Sequence, residues 1–362
     1  MRKRRSKKLE HERNVTGTIT VFKNSLYSVE PKPATMRRFK KILKWTGVII
    51  TSLLIIFVIL VFSFQNRKFT AAYPNIHATT DSSVIARGRY LAFGPAHCSG
   101  CHSPLSNEEK INRGEKLPLM GGFEFDLPIG KIYSRNITPD DETGIGKLPD
   151  SVIARSLRYG VGRDGRALFD FMPFHNLSDE DLTAVISFLR SQEAVKNNVP
   201  VNHFNFLGKV VQAFLIKPVG PDGEVAKSVK PDTTTGYGKY LAHYITNCRG
   251  CHTNRSLMTG AYTGPDFAGG LKFESSTEKG AYTVTPNLTP DQETGRITGW
   301  TQEQFINRFR QKKLIPISGM PWDQFRNVTD NDLKAIYNYL KSLKPIKNKI
   351  EATYVSAKDV KK

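Results

Sequence analysis

The amino-acid sequence predicts a mainly helical protein in which two tandem copies of one domain follow a single N-terminal transmembrane helix. Three observations carry this prediction. Residues 46–64 form an uncharged apolar run, and residues 82–195 and 234–345 repeat the same short motifs in the same order. The segments that close each repeat also place apolar residues at helical spacing, as core-facing helices do.

The apolar run has the length of a membrane span. Its 19 residues reach about 28 Å as a helix, close to the thickness of the hydrocarbon layer. Basic residues are concentrated before the run and only Arg67 and Lys68 follow it closely, so the positive-inside rule predicts a cytoplasmic N-terminus and export of residues 65–362 across a bacterial inner membrane into the periplasm. Cleavage as a signal peptide stays open through Ala71-Ala72, although no suitable site follows at once.

The net charge of +20 is concentrated at the N-terminus. Residues 1–69 hold 16 Lys and Arg against 3 Asp and Glu, a distribution that fits membrane topology and gives no reason to expect nucleic-acid binding. Residues 1–45 are interpreted as a basic cytoplasmic tail, with Met36 as an alternative start, and residues 65–81 as a linker.

The internal repeat is evident from six pairs of motifs. Each member of the first copy returns about 150 positions later: GRYLA at 88 as GKYLA at 238, CSGCH at 98 as CRGCH at 248, GGFEF at 121 as GGLKF at 269, NITPDDETG at 136 as NLTPDQETG at 287, MPF at 172 as MPW at 320, and LSDEDL at 177 as VTDNDL at 328. Both copies are therefore expected to fold alike.

Each repeat contains one CxxCH motif, which is the attachment signal for c-type haem. Cys98 and Cys101, and likewise Cys248 and Cys251, would bond to the two vinyl groups of one porphyrin, and the adjacent His102 or His252 would reach the iron. A redox CxxC pair would not require the histidine, and paired zinc knuckles normally lie much closer together. Structural disulfides would compete for the same four cysteines. The sequence therefore predicts two covalently bound haem c groups.

The second axial ligand of each iron is predicted to be methionine. Met172 and Met320 occupy equivalent positions before a proline, whereas Met120 and Met258 do not correspond to one another. His/Met ligation raises the potential of a haem used for electron transfer. Four other histidines have no histidine at the equivalent position of the other repeat and are interpreted as structural or surface residues: His97, His175, His203 and His243.

On these residues each repeat resembles a class I cytochrome c domain, with helices wrapped around a covalent haem. Residues 82–345 also resemble the cytochrome c subunits of bacterial membrane-bound alcohol, gluconate and sorbitol dehydrogenases, through Asn136–Gly144, Met172-Pro173, Leu177–Leu182 and His203–Pro218. Those subunits typically carry three haem motifs, and this chain has two. The resemblance implies axial roles for His102 and Met172, and for His252 and Met320.

Several shared residues have structural interpretations. Gly88 and Gly238 are expected to let the first and last helices of each domain approach closely, and Tyr90 and Tyr240 to line the haem pockets. Asn136 and Asn287 would form a turn or bond a haem propionate, with the turn preferred because Asn precedes Thr-Pro. Arg135 could neutralise a propionate, but position 286 is proline.

The predicted function is electron transfer, without catalysis by this chain, between redox partner proteins. The donor would be a dehydrogenase or quinol-oxidising complex, and the acceptor a terminal oxidase or soluble cytochrome. A di-haem peroxidase is the alternative, but it requires one iron with an open site. A haem-based sensor is a third class. The interdomain segment 196–233 is expected to contain an amphipathic helix that packs against both domains or meets a membrane or partner, with the packing preferred because apolar stripes usually face a core. Residues 346–362 are interpreted as a basic C-terminal tail.

Overall fold

The computed structural model describes residues 33–104, 109–110, 113, 115–256, 260–275 and 277–359. Residues 1–32 of the predicted basic tail, Met258 and residues 360–362 lie outside these ranges.

Helix α1, Pro33–Phe64, begins 13 residues before the apolar run and ends with it. Residues Met36–Phe64 are long and apolar enough to cross a membrane, with a hydropathy of 2.9. The chain divides after Phe57 into two compact units, and α1 makes up all of the described part of the first.

The second unit, residues 58–362, is mostly helical and contains two small antiparallel sheets. Its first half comprises α2 (Ser82–Phe93), α3 (Cys98–Cys101), β1 (Glu124–Leu127), β2 (Gly130–Tyr133), α4 (Asp150–Tyr159), α5 (Asp179–Ser191) and β3 (His203–Phe204). Helix α6 (Phe206–Phe214) follows. The second half comprises α7 (Thr235–Tyr240), a π-helical turn (Leu241–Ile245), α8 (Cys248–His252), β4 (Lys272–Glu274), β5 (Tyr282–Val284), α9 (Gln302–Arg310), α10 (Trp322–Phe325), α11 (Asp330–Ser342) and β6 (Tyr354–Val355).

The first and last helices of each half pack together through a glycine. A Cβ at Gly88 of α2 would lie 1.8 Å from the Ala184 carbonyl oxygen of α5, and one at Gly238 of α7 would lie 1.9 Å from the Ala335 oxygen of α11. Any larger side chain would collide with backbone. The predicted packing role of both glycines is therefore confirmed.

Each closing helix begins with a side-chain cap. Ser178 Oγ accepts from the Asp181 amide (3.1 Å) at the start of α5, and Thr329 Oγ1 accepts from the Asp332 amide (3.2 Å) at the start of α11. At the start of α2, the Asp81 carboxylate accepts from the amides of Ser83 and Val84.

The two halves meet through a reciprocal exchange of tyrosines. Tyr90 donates to Asp332 (2.6 Å) and accepts from the Thr329 amide (3.1 Å). Tyr240 donates to Asp181 (2.8 Å) and accepts from the Ser178 amide (2.9 Å). Each tyrosine hydroxyl thus secures the first turn of the other half's closing helix. Their hydroxyl groups therefore act at the interface between the halves, and the expectation that their rings line the haem pockets stays a prediction.

Both predicted linkers are tied to the first half. After α1, the Phe69 amide donates to the Gly165 carbonyl (2.8 Å) and the Ala78 amide to Asp150 (2.8 Å). The segment after α5 adds β3 to β2, so the first sheet has the order β1-β2-β3. The second half repeats this arrangement with β6, which pairs with β5 from within the predicted C-terminal tail.

Candidate functional site

The two CxxCH segments form the same short turn. A residue in the left-handed region precedes each one: His97 with φ 41° and Asn247 with φ 52°. This conformation turns the chain so that α3 and α8 begin directly at the first cysteine. Both cysteines and the histidine of each motif consequently lie within about one helical turn, as attachment to one porphyrin requires.

Both motif histidines are oriented by a backbone carbonyl group. His102 Nδ1 lies 2.8 Å from the Arg135 oxygen and His252 Nδ1 lies 3.0 Å from the Pro286 oxygen. A carbonyl only accepts, so Nδ1 carries the proton and Nε2 keeps its lone pair for a metal. Burial lowers the pKa of both imidazoles, which favours the neutral, ligating form.

A glycine turn that occurs in both halves packs against the carbonyl groups of Arg135 and Pro286. The Gly121 and Gly269 amides each donate to the carbonyl of the motif histidine, at 2.8 Å in both halves. Their φ values are +73° and +74°, and a Cβ at Gly121 would lie 2.4 Å from the Arg135 carbonyl carbon. The sequence does not reveal this contact, because a backbone carbonyl is available from any residue and Arg135 and Pro286 share no side-chain chemistry.

Asn136 and Asn287 form turns, as preferred from the sequence. The Asn136 side-chain oxygen accepts from the Thr138 amide (3.0 Å), and its amide donates to the Val195 carbonyl (2.8 Å). Asn287 makes the equivalent bonds to Thr289 (2.9 Å) and Ile346 (2.8 Å). The side chain of Arg135 bonds the Pro200 carbonyl and Asn202. These residues therefore brace the loop that supplies the histidine acceptor.

The four motif cysteines are free thiols. Burial raises the pKa of Cys98 to about 12 and those of Cys101 and Cys248 to about 11, and it raises that of Cys251 as well. Burial therefore favours the neutral thiol over the thiolate at all four cysteines.

Met172 and Met320 lie in equivalent loops. Both are partly buried against the core that also contacts Cys98 and Cys248. In each loop the amide two residues later donates to the methionine carbonyl at 2.8 Å, from Phe174 in the first half and Trp322 in the second. Met120 is placed differently, and its carbonyl accepts from the Asn197 side chain.

The remaining histidines have other partners. His175 contacts Asp170 through Nε2 (3.0 Å) and the Arg158 carbonyl through Nδ1 (3.3 Å). His243 Nε2 contacts the Tyr339 hydroxyl (2.7 Å), and burial lowers the pKa of His243 to about 4. His97 packs edge-on against the Phe325 ring, and His203 is exposed in β3.

A contact between the two halves at the first CxxCH motif was not predicted. The equivalent described residues 174–178 of the first half are not helical, whereas α10 forms in the second half, because the second repeat has three more residues between its Met-Pro pair and its closing helix. Gln324 approaches Gly100 (3.5 Å from a Cβ built there), and Asn327 donates to the Phe93 carbonyl (3.1 Å). The extra residues therefore place the loop after Met320 against the first motif.

The arrangement fits covalent haem in both halves. Each presents two neutral thiols and an imidazole with Nε2 available on one turn, together with a methionine at the border of the same core. In the ligation scheme that the sequence predicts, Cys98, Cys101, His102 and Met172 would hold the first group, and Cys248, Cys251, His252 and Met320 the second.

Comparison with known proteins relates the chain to cytochromes c. Residues 238–344 match the cytochrome c family model. The chain is 28% identical to the cytochrome c subunit of the quinone-dependent alcohol dehydrogenase of Gluconobacter oxydans, over 73% of this chain and 55% of the relative. It is 29% identical to the gluconate 2-dehydrogenase cytochrome c subunit of Pantoea cypripedii, over 73% and 60%. A diheme cytochrome c-type protein of Cereibacter sphaeroides is 26% identical, over 72% and 86%.

The chain therefore contains a cytochrome c domain and is homologous to cytochrome c subunits of dehydrogenases. The relatives are named as cytochrome c subunits of dehydrogenases. The chain spans about 55–60% of the length of the two dehydrogenase subunits named above.

Proposed function

We propose that the protein is a membrane-anchored di-haem cytochrome c that accepts electrons from a dehydrogenase and passes them to a further redox protein in the periplasm. The observation that carries the proposal is the duplicated histidine geometry. His102 and His252 donate from Nδ1 to equivalent carbonyl groups at 2.8 and 3.0 Å, although those groups belong to unlike residues. A surface histidine would have no reason to be fixed in this way twice.

Bound haem supplies reversible one-electron chemistry at a potential that its axial ligands tune. The polypeptide attaches the porphyrin through the paired cysteines and orients each imidazole through the carbonyl of Arg135 or Pro286. Met172 and Met320 would complete the two iron sites. Hydrogen bonds from a ligating imidazole to a backbone carbonyl raise the basicity of that imidazole and fix its ring plane.

Two domains and a dehydrogenase partner are supported by the homology. An alignment over 73% of the chain extends well beyond residues 238–344, so the relatives also share sequence with the first half. Because the relatives are named as subunits of dehydrogenases, we infer that a dehydrogenase is the electron donor. In this proposal residues 1–45 lie in the cytoplasm, residues 46–64 of α1 cross the inner membrane and residues 65–362 lie outside.

Ligand replacement tests the haem sites. Met172→Ala and Met320→Ala should each remove the weak long-wavelength methionine-to-ferric-iron band of one haem and lower the potential of that haem alone. Met120→Ala is the matched control and should change neither band. Survival of both bands in both variants would show that the methionines are not ligands.

Haem stoichiometry and topology test the remaining parts. Haem should stay attached on denaturing gels at two per chain, and Cys98→Ala with Cys101→Ala should halve this ratio. A reporter that is active only outside the cytoplasm should work when fused after Lys362. Rapid, stoichiometric binding of carbon monoxide to the reduced protein would count against a pure electron carrier and favour the peroxidase alternative.

A further inference from the structure

Helix α6 carries leucine side chains that stay exposed in the part of the chain that the structure describes. Leu207 in its first turn and Leu215 directly after its last residue are 53% and 46% exposed. Only Gly208 and Ala213 of this helix are buried. The amphipathic helix predicted between the repeats is therefore present, but its apolar side faces outward, in contrast to the packing against both domains that the sequence favoured.

Helix α6 is rigidly attached to the first half. Asn205 caps it by accepting from the Gly208 amide (2.9 Å), and the Asn205 side-chain amide donates to the Pro128 carbonyl (2.8 Å). A Cβ at Gly208 would lie 2.1 Å from the Ile129 carbonyl oxygen. The helix therefore sits directly on the turn between β1 and β2, and a force on it is transmitted to the first haem-binding half.

The same helix contacts the end of α1. Lys209 places its ammonium group 4.7 Å from the centre of the Phe62 ring, in the last turn of α1. Val61 is fully buried at this point. If α1 spans a bilayer, its last turn marks the outer boundary of the hydrocarbon layer. A helix that touches Phe62 must then lie at that boundary.

The segments that follow the equivalent strands β3 and β6 differ in sequence. After β3 the first half continues with Asn205-Phe-Leu-Gly-Lys209 and a further apolar stretch. After β6 the second half continues with Ser356-Ala-Lys-Asp359, which is polar. The apolar character is therefore a feature of the segment that follows β3 and is not shared by the residues directly after β6.

We infer that α6 is an interfacial helix that inserts Leu207 and Leu215 into the outer leaflet of the membrane beside α1. Its geometry matches this role, since exposed apolar side chains on one face and Lys209 and Lys217 near the ends are typical of helices that lie in the headgroup region. The bilayer would then hold the first half at two points and fix the tilt of both haem sites. This inference rests on the proposed transmembrane role of α1.

Photo-crosslinking in the full holoprotein tests the inference. A benzophenone amino acid is placed at position 207 or 215, and the protein is reconstituted in vesicles of phosphatidylethanolamine and phosphatidylglycerol. Position 314, an exposed leucine (67%) of the second half, is the matched control, and position 53 in α1 is the positive control. Mass spectrometry then measures lipid adducts, and the visible spectrum reports whether both haems are intact.

Lipid adducts at 207 and 215 should exceed the yield at 314 several-fold and approach the yield at 53. A yield at 207 and 215 no higher than at 314, with strong labelling at 53, would overturn the inference and leave the anchor intact. Absence of lipid adducts at 53 would instead remove the anchor on which the inference rests. In native membranes, adducts to a protein in place of lipid at 207 would show a protein-docking surface and would equally overturn it.

Discussion

In the first half of the second unit, His102 is held by the carbonyl of an arginine, and in the second half His252 is held by the carbonyl of a proline. The hydrogen bonds of Gly121 and Gly269, and those of the turns at Asn136 and Asn287, are also nearly equal in length in the two halves. Inside each half, equivalent positions therefore make equivalent hydrogen bonds even where the side chains differ.

The halves differ where they face one another. Position 87 is arginine, which pairs with Asp181 at 2.8 Å, whereas the equivalent position 237 is tyrosine. Among the described residues, helix α10 of the second half corresponds to non-helical chain after Met172 in the first half. The hydrogen bonds around the two CxxCH motifs are therefore alike in both halves, while the contacts between the halves differ.

The largest loss of stability should come from disrupting the close contact between the first and last helices, which occurs in both halves. Gly88→Val and Gly238→Val each place a side chain within 2 Å of a backbone oxygen, and overpacking of this kind costs about 3 kcal/mol or more. We expect either variant to lose stable folding of its own half first. Chemical denaturation followed separately at each haem would measure this loss.

Gly299→Ala is the matched control, because a Cβ there meets no atom within 4 Å. If Gly88→Val and Gly238→Val unfolded no more readily than this control, the close crossing would not be essential. If only one of the two valine variants unfolded more readily than the control, the two halves would not share the same packing.

These helix crossings and the haem motifs could be predicted because residues that the fold or the site requires recur at equivalent positions of both repeats, whereas other residues do not. Gly88 and Gly238, or Met172 and Met320, stand out for that reason alone. Contacts made by backbone atoms, such as the Arg135 carbonyl, leave no such signal. The partners of Tyr90 and Tyr240 were also missed, because their acceptors lie in the other repeat and depend on how two folded halves dock.

A smaller loss in the free energy of unfolding is expected when either tyrosine at the interface between the halves is replaced. Tyr90→Phe removes the donor to buried Asp332, for which the described chain contains no ion pair, and should cost about 1–3 kcal/mol. Tyr240→Phe should cost less, about 1 kcal/mol, since Asp181 keeps both bonds to Arg87. Urea denaturation of the holoprotein measures both. A larger loss for Tyr240→Phe would mean that the Ser178 amide, and not the carboxylate, dominates.

The same network predicts alkaline sensitivity. Burial, followed by the nearby Asp332 and Asp181 charges, raises the pKa of Tyr90 and Tyr240 well above the ordinary value of 10.0. Because the folded-state pKa is higher than the unfolded one, the stability linked to these groups is complete below about pH 10 and decreases as the pH rises further. We expect stability measured against pH to fall above 10, and less steeply in Tyr90→Phe. An unchanged slope in Tyr90→Phe with Tyr240→Phe would assign the loss to other groups.

The smallest change in the free energy of unfolding is expected from removing an exposed ion pair that occurs at equivalent positions of both halves. Lys196 lies 2.5 Å from Glu142, and at the equivalent positions Lys347 lies 2.6 Å from Glu293. All four side chains are more than half exposed, so water and salt screen the attraction and each pair contributes less than about 1 kcal/mol. Lys196→Ala and Lys347→Ala should therefore shift the free energy of unfolding equally and only slightly, and added salt should remove the shift. A loss comparable with that of Tyr90→Phe in either half would show that these lysines also hold the loops after α5 and α11 against the asparagine turns.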